Sequence, residues 1–232
     1  MPLNNKELLL AIVEDIFSSL QVPGGAIASQ LLQGVFRRKA ELAREILIDE
    51  IKSGQSPALA DDETVYIIYR YFRAAQEGAA RVNLRLLAQI IAGDPSVTSL
   101  TADKFLYYSD LISSLKVEEI KLLGHMVKKN ISSYSEYAWN KEEWKALDLS
   151  DEQITIIFQS LLRTGLVILE QNVRVEDETD YKTLLGNSNK YVTNFDSYYS
   201  LTPLMNEICK FLTFDGALKK EKIYPSEGDT YE

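Results

Sequence analysis

In the first twenty residues the apolar positions Leu9, Ile12, Val13, Ile16, Phe17 and Leu20 recur every three or four places. That period puts them on one face of an α-helix. Asn4 stands where a cap belongs, with Glu7 three residues on as its reciprocal partner. The run QVPGG at Gln21–Gly25 ends this helix. A second helix is expected from about Ala26 to Lys52, with Ile27, Leu31, Val35, Leu42, Ile46 and Ile51 inward. Gly54 lies just past its end, where a left-handed residue commonly closes a helix. From Glu63 to Ala92 there is no proline, and Gly78 is the only glycine. This stretch is either one long helix or two that bend near Gly78. Asp61 or Asp62 caps it, and GDPS at Gly93–Ser96 stops it. Thr101 then caps a shorter helix that carries Phe105, Leu106, Leu111, Ile112 and Leu115. The connections are short enough for antiparallel neighbours in a bundle.

After Lys116 the pattern changes. VEEIKLLGHMVKKN reads as a helix with Ile120, Leu123 and Val127 inward, and an irregular aromatic stretch follows, with Tyr134, Tyr137, Trp139 and Trp144. A short helix is expected around Lys141–Ala146. Ser150 and Gln153 have the spacing of a capping box for a helix over Asp151–Thr164, and Gly165 is its stop. In LLRTGLVILEQNVRV, Leu161–Val175, the helical period gives way at that glycine to strand-like alternation. Strands are expected at Leu166–Glu176 and about Lys190–Ser200, rich in the β-branched and aromatic side chains that suit a pleat. Thr202 and Pro203 then open a last helix through Met205, Ile208 and Leu212. The fold class expected is therefore mainly α: a helical bundle over 1–116, a winged-helix-like module with a small β-hairpin over 117–212, and a flexible acidic tail over 213–232.

LLRTGLVIL and YYSLTPLMNEICKFL resemble the helix–hairpin–helix portion of winged-helix modules over about Val117–Leu212. That resemblance implies a fold and leaves the function open, since winged helices serve many partners. The whole layout, with VPGGAIASQLL near its start, resembles the uncharacterised bacterial abortive-infection-alpha-like proteins. It implies a bacterial protein linked to phage defence.

Charge narrows the partners. Met1–Lys116 carries 12 basic and 14 acidic residues, Val117–Leu212 carries 10 and 15, and Thr213–Glu232 carries 3 and 5. The net values of -2, -5 and -2 add to the overall -9. The acidic excess is thus largest in the winged-helix-like part. On the helix that would read DNA, Ile154, Ile157, Phe158, Leu161 and Leu162 are expected inward, leaving Asp151, Glu152, Thr155, Gln159 and Arg163 outward. The wing DETDYKTLLGNSN sets Asp177, Glu178 and Asp180 against Lys182. Carboxylates facing phosphates gain none of the counterion release that drives nucleic-acid binding. Duplex DNA is therefore not the expected partner of this face.

One basic feature stands out. On a continuous helix Arg70, Arg73, Arg81 and Arg85 would fall within about 120°, at about 100° per residue. Val65, Ile68, Phe72, Ala75, Ala79, Leu86 and Ile90 would line the opposite side. The plain reading is a solvated face paired with carboxylates such as Glu41, Glu45 and Asp49. The functional reading is a strip that binds an anion or an acidic partner. A bend at Gly78 would break it up. A second cluster, Arg37, Arg38 and Lys39, follows an apolar run, but Glu41, Glu45, Asp49 and Glu50 weaken any attraction to an anionic membrane. No segment approaches the roughly 20 apolar residues of a membrane span. Glu14 and Asp15 interrupt the first apolar run, which lacks a small-residue cleavage site. A cytoplasmic protein without a membrane partner is expected.

Catalytic chemistry finds little to work with. Cys209 is the single cysteine and His125 the single histidine, so no disulfide scaffold and no multi-histidine metal site can form. Cys209 is expected as a small buried hydrophobe and His125 as a partly exposed structural residue. No phosphate-binding glycine loop, dinucleotide fingerprint or nucleophile elbow occurs. Catalytic, cofactor and metal residues are thus expected to be none. Thirteen tyrosines, clustered at Tyr107–Tyr108, Tyr134–Tyr137 and Tyr198–Tyr199, suit a protein interface. The expected function is a non-enzymatic adaptor with a protein partner. A nucleic-acid regulator using the arginine stripe and a membrane-active defence effector are its rivals.

Overall fold

The structure, a computed structural model, describes residues 5–20, 28–54, 61–93, 100–129, 147, 149–177 and 191–222. Among these the protein is mainly helical with one two-stranded antiparallel sheet. The helices are α1 (Asn5–Ser19), α2 (Ala28–Ser53), α3 (Asp61–Glu77), α4 (Arg81–Ala92), α5 (Ala102–Ser114), α6 (Val117–Lys128) and α7 (Asp151–Thr164). Strands β1 (Val167–Asp177) and β2 (Tyr191–Leu201) come next, then α8 (Pro203–Ile208) and α9 (Phe214–Lys220). The helix expected around Lys141–Ala146 and the wing loop with Lys182 lie outside the described residues.

The chain forms two compact units whose boundaries differ from those expected. One joins Met1–Gly124 to Glu207–Glu232, and the other is His125–Asn206. In the first, α4 is the central helix. Val82 through Ala88 are buried without a gap, as are Ile90, Ile91 and Ala92. A helix apolar on nearly every side belongs inside a core. Around it Leu47, Ile51, Ile67, Tyr71, Phe72 and Phe105 are fully buried. Phe72 meets Phe17 at 6.0 Å and Tyr71 edge-on at 5.7 Å, which carries the packing through to α1. Arg44 covers the outer side of Phe17 at 5.3 Å, held there by Glu14 through Nε at 2.8 Å.

α3 is severed from α4 at Gly78, whose φ of 109° lies where side chains other than hydrogen are disfavoured. The break lets α4 turn into the core. Neighbours then follow an order other than simple antiparallel packing. The Glu63 carboxylate accepts from the Ala102 amide, and Arg70 reaches Asp110, so α3 and α5 run side by side in the same direction. Glu50 to Arg85 and Gly54 to Ala92 show the same for α2 and α4. Asn83 is buried on α4 and its amide donates to the carbonyls of Ile112 (2.6 Å) and Leu115 (2.8 Å), satisfying the end of α5.

Two positions read as inward from periodicity are turned outward: Val35 and Val65 are exposed. Ala40, Ala43, Ile46 and Leu47 supply the inner side of α2 instead. Gly54 also differs from expectation. Its φ is not positive, and it is needed for space: a Cβ there would collide with the Ala92 carbonyl oxygen. Gly54→Ala should therefore cost about 1–3 kcal/mol by overpacking. A urea midpoint unchanged from the wild type would show that the two helix ends can spread apart.

In the second unit Ser150 and Gln153 form the expected capping box of α7, with bonds of 3.2 and 2.8 Å, and Gly165 ends the helix at φ 72°. Ile154, Ile157, Phe158 and Leu161 are buried and Leu162 is half-buried. β1 pairs with β2 from Val167↔Leu201 to Asp177↔Tyr191. The Thr202 hydroxyl donates to the Gly165 carbonyl at 2.8 Å and accepts from the Met205 amide at 3.2 Å. One side chain thereby ties the end of α7, the end of β2 and the start of α8. Phe158 stacks on Tyr199 with ring centres 3.9 Å apart.

The expected flexible tail is the clearest correction. Thr213 onward is a helix, α9, with Phe214, Ala217 and Leu218 buried. Phe214 packs against Gly124 of α6. Residues 223–232, the rest of that expected tail, lie outside the described residues.

Candidate functional site

The structure divides the predicted arginine stripe between two helices and gives every member a carboxylate. On α3, Arg70 contacts Asp110 of α5 at 3.3 Å, and Arg73 contacts Glu77 one turn on at 3.3 Å. On α4, Arg81 Nε donates to Glu221 Oε2 at 2.7 Å. Arg85 Nε donates to Glu221 Oε1 at 2.6 Å, and its Nη1 donates to Asp49 Oδ2 at 2.7 Å and Glu50 Oε1 at 2.8 Å. Lys220 Nζ adds bonds to Asp49 at 3.2 Å and Glu50 at 2.9 Å. No continuous basic strip remains. Arg70 and Arg73 keep the paired, partly solvated character of the plain reading. Arg81 and Arg85 enter an ionic cluster that joins α2, α4 and the end of α9.

This cluster is well screened from water at its centre. The side chains of Arg85, Glu50 and Glu221 are 8%, 8% and 4% exposed. Three cations (Arg81, Arg85, Lys220) balance three carboxylates (Asp49, Glu50, Glu221), as burial demands, because an unpaired buried charge is heavily penalised. Arg85 has the forked shape that lets one side chain serve three carboxylates. Burial opposes its charge, yet the bonds to Glu50, Glu221 and Asp49 outweigh that and raise its pKa. The Arg85 bond holds the Asp49 carboxyl below its ordinary range against the opposing effect of burial. Tyr71 closes the inner side. Burial pushes its phenol well above the ordinary value, and its hydroxyl donates to the Ala43 carbonyl at 2.9 Å.

Beside the cluster lies an open groove of about 490 Å³ between the ends of α2 and α4 and the α8–α9 connection. Glu50, Gly54, Gln89, Cys209, Thr213 and Lys220 line it. Gln89 Oε1 accepts from the Thr213 amide at 2.8 Å. Cys209 is half-buried on the groove wall, and burial pushes its thiol up to about 11. A thiol so disposed is a poor nucleophile at neutral pH. His125 is half-buried on α6. Among the described residues no three acidic, histidine or cysteine side chains group as a metal site requires, and no helix is long and apolar enough to cross a membrane.

A second surface is apolar and aromatic. Val65, Tyr66 and Tyr69 on α3 are 46%, 42% and 44% exposed, and Tyr107 on α5 is 52% exposed. The three α3 residues fall within about 100° of one another at about 100° per residue. The Arg70–Asp110 contact joins the two helices at the edge of this face. On α7 the outward residues are Asp151, Glu152, Thr155, Gln159 and Arg163, as the period predicts, together with Gln153 and Ile156. No family model, curated protein or solved structure matches this chain. The site is therefore defined by its own geometry.

Sequence reasoning placed Arg81, Arg85 and Asp49 near one another but missed Glu50, Lys220 and Glu221 as their partners. A signal was present: Phe214, Ala217 and Leu218 have the i, i+3, i+4 spacing of a docked helix. Of the tyrosine clusters, Tyr107 is exposed, Tyr108 is buried against Phe211 at 6.3 Å, and Tyr134 and Tyr137 lie outside the described residues.

Proposed function

We propose that this chain is a non-enzymatic adaptor that recognises a protein partner through the tyrosine-bearing side of α3 and α5. The observation that carries this reading is the exposure of Val65, Tyr66, Tyr69 and Tyr107 on adjoining helices. Tyrosine brings a large apolar ring to a contact with little conformational freedom to lose, and its hydroxyl meets a polar rim. Three such rings beside a valine are more than the scattered apolar side chains of an ordinary surface. The pairing of Arg70, Arg73, Arg81 and Arg85 with carboxylates weighs against the rival reading as a nucleic-acid regulator.

In the same proposal, 117–212 is a winged-helix module used for something other than gripping duplex DNA. The capped α7, its glycine stop and the β1–β2 hairpin support the fold, and exposed Asp151 and Glu152 at the start of α7 oppose a phosphate backbone. The setting in bacterial phage defence rests on the resemblance carried by VPGGAIASQLL, and plaque counts on cells with and without the gene test it.

The decisive experiment compares the intact protein with the triple variant Tyr66→Ser, Tyr69→Ser, Tyr107→Ser as bait in host extract. The variant is expected to keep its thermal transition and lose the wild-type partner by at least about tenfold, which is about 1.4 kcal/mol. Equal recovery of that partner by both baits removes the assignment of this face. Salt-sensitive binding of a labelled duplex by both would favour the nucleic-acid rival.

A further inference from the structure

We infer that the partner of the α3–α5 face presents a basic segment, and that a lysine or arginine of that segment enters between Tyr66 and Tyr107 with its charge held by Asp62 and Asp103. This rests on the reading of that face as the adaptor surface and gives its partner a chemistry.

The placement follows from the way the two helices lie. α3 and α5 run in the same direction, and their contacts set the register. Glu63 meets Ala102 and Arg70 meets Asp110, at separations of 39 and 40 residues. Tyr66 therefore comes level with Leu106, and Tyr107 is the next residue, about 1.5 Å further along. One turn earlier Asp62 and Asp103 stand in the same relation. Asp62 and Tyr66 are four apart on α3, and Asp103 and Tyr107 are four apart on α5. Each carboxylate thus shares a side of its helix with a tyrosine. The four side chains form two rungs across the pair of helices, carboxylates on one and phenol rings on the next, about 6 Å apart along the axis. All four are exposed. Tyr107 leans on Tyr108 of its own helix at 6.1 Å, and among the described residues no ring contact joins it to Tyr66.

The sign of the face selects the partner. The arginines beside the rungs are already taken: Arg70 faces Asp110 and Arg73 faces Glu77, each at 3.3 Å. Lys104 turns to Glu207 at 3.2 Å. Among the described residues Asp62 and Asp103 have no ion pair. The uncompensated charge beside the rings is therefore negative. The face of a tyrosine ring also attracts a cation. An acidic segment or a phosphate would meet like charge at the first rung and gain nothing at the second. Lysine and arginine carry an apolar stem that can lie along a ring and a charged head that reaches beyond it. That division matches a rung of rings followed by a rung of carboxylates. Val65 and Tyr69, further round α3, offer apolar contact to the residues that flank the cation.

Fluorescence anisotropy on the full chain at about 0.15 M salt tests this, with the labelled peptide LKKLLKLLKKLLKL and its counterparts carrying glutamine or glutamate in place of lysine. The lysine peptide is expected to bind at least about tenfold more tightly than the glutamine peptide, and the glutamate peptide more weakly still. Tyr66→Ser with Tyr107→Ser, and Asp62→Asn with Asp103→Asn, should each weaken the lysine peptide by at least about tenfold. Glu45→Gln with Glu118→Gln removes the same charge from exposed positions of α2 and α6 and should change it by less than about twofold. Asp62→Lys with Asp103→Lys should move the preference to the glutamate peptide. Absence of binding by the lysine peptide, equal binding of the lysine and glutamine peptides, or equal losses from the two carboxylate pairs overturns the inference. The comparison of peptides on the wild type decides alone if a variant fails to fold. Loss of the host partner by the triple tyrosine variant, with no preference among the peptides, keeps the adaptor face and removes the basic segment. Retention of that partner together with the expected peptide results removes the adaptor assignment and leaves the cation site standing.

Discussion

Replacement of Arg85 by alanine should destabilise the unit formed by residues 1–124 and 207–232 by about 3–5 kcal/mol, the usual cost of removing one partner from a buried ionic group. The reason is geometric. Arg85 is the one side chain bonded to Asp49, Glu50 and Glu221 together, and Glu50 and Glu221 are themselves shielded from water. After truncation Arg81 can still serve Glu221 and Lys220 can still serve Glu50, but neither lies at the centre. The control is Arg73→Ala. That arginine faces solvent and pairs with Glu77 one turn away, so its loss should cost only about 0.3–0.5 kcal/mol. Urea midpoints at neutral pH measure both. A common midpoint for the two variants would mean that the cluster contributes nothing beyond a surface pair.

The same cluster gives the effect a pH dependence of known sign. Asp49 is held below its ordinary value of 3.8, chiefly by its bond from Arg85. A depressed carboxyl stabilises the fold above its unfolded pKa and loses that contribution as pH falls through the folded value. The wild type should therefore lose its advantage over Arg85→Ala as the pH drops below about 4. A gap that widens in acid would contradict the assignment.

Leu161→Asp should be as damaging to the other unit, by about 4 kcal/mol or more. Leu161 is fully buried on α7 with Ile154, Ile157 and Phe158, in the unit that also holds the hairpin. The one arginine of this helix, Arg163, is exposed and offers that carboxylate no buried counter-charge. A penalty of that size is a large part of the stability of a small domain. Glu152→Ala, in the first turn of the same helix on its solvent side, should change stability by no more than about 0.5 kcal/mol. Amide exchange over Asp151–Thr164 and Val167–Leu201 is the measurement. Native protection of both segments in Leu161→Asp would show that α7 can turn or shift to release the charge.

Much of the architecture can be read from local pattern. The capping box at Ser150 and Gln153, the stop at Gly165, the hairpin strands to within a residue and the cap at Thr101 all follow from chemistry within a few positions. The break at Gly78 was one of two readings, and only the folded chain selects it. The outward turn of Val65 was not legible, because periodicity finds an apolar side but cannot say which neighbours will cover its margin. The tail was misread for a related reason. KKEKIYPSEGDTYE is polar, and it drew attention away from the short apolar triplet that precedes it. Three apolar residues cannot fold by themselves, and whether they order depends on a receiving surface elsewhere in the chain.

What the sequence determined by itself is therefore most of the elements before Thr213, several of their caps and stops, the acidic character of α7, and the absence of a histidine or cysteine set for metal or disulfide chemistry. These depend on side chains a turn apart or on composition. The tertiary structure alone decided which charges meet. Arg70, Arg73, Arg81 and Arg85 look alike in the sequence, but the break at Gly78 leaves Arg70 and Arg73 on α3 with carboxylates of α5 and α3, and places Arg81 and Arg85 on α4, where both reach Glu221 and Arg85 is buried. Their carboxylates come from α2, α3, α5 and the residue after α9. Coulomb attraction and desolvation depend on distance through space and on exposure to water, and the larger of these separations in sequence are set only when the core around α4 closes.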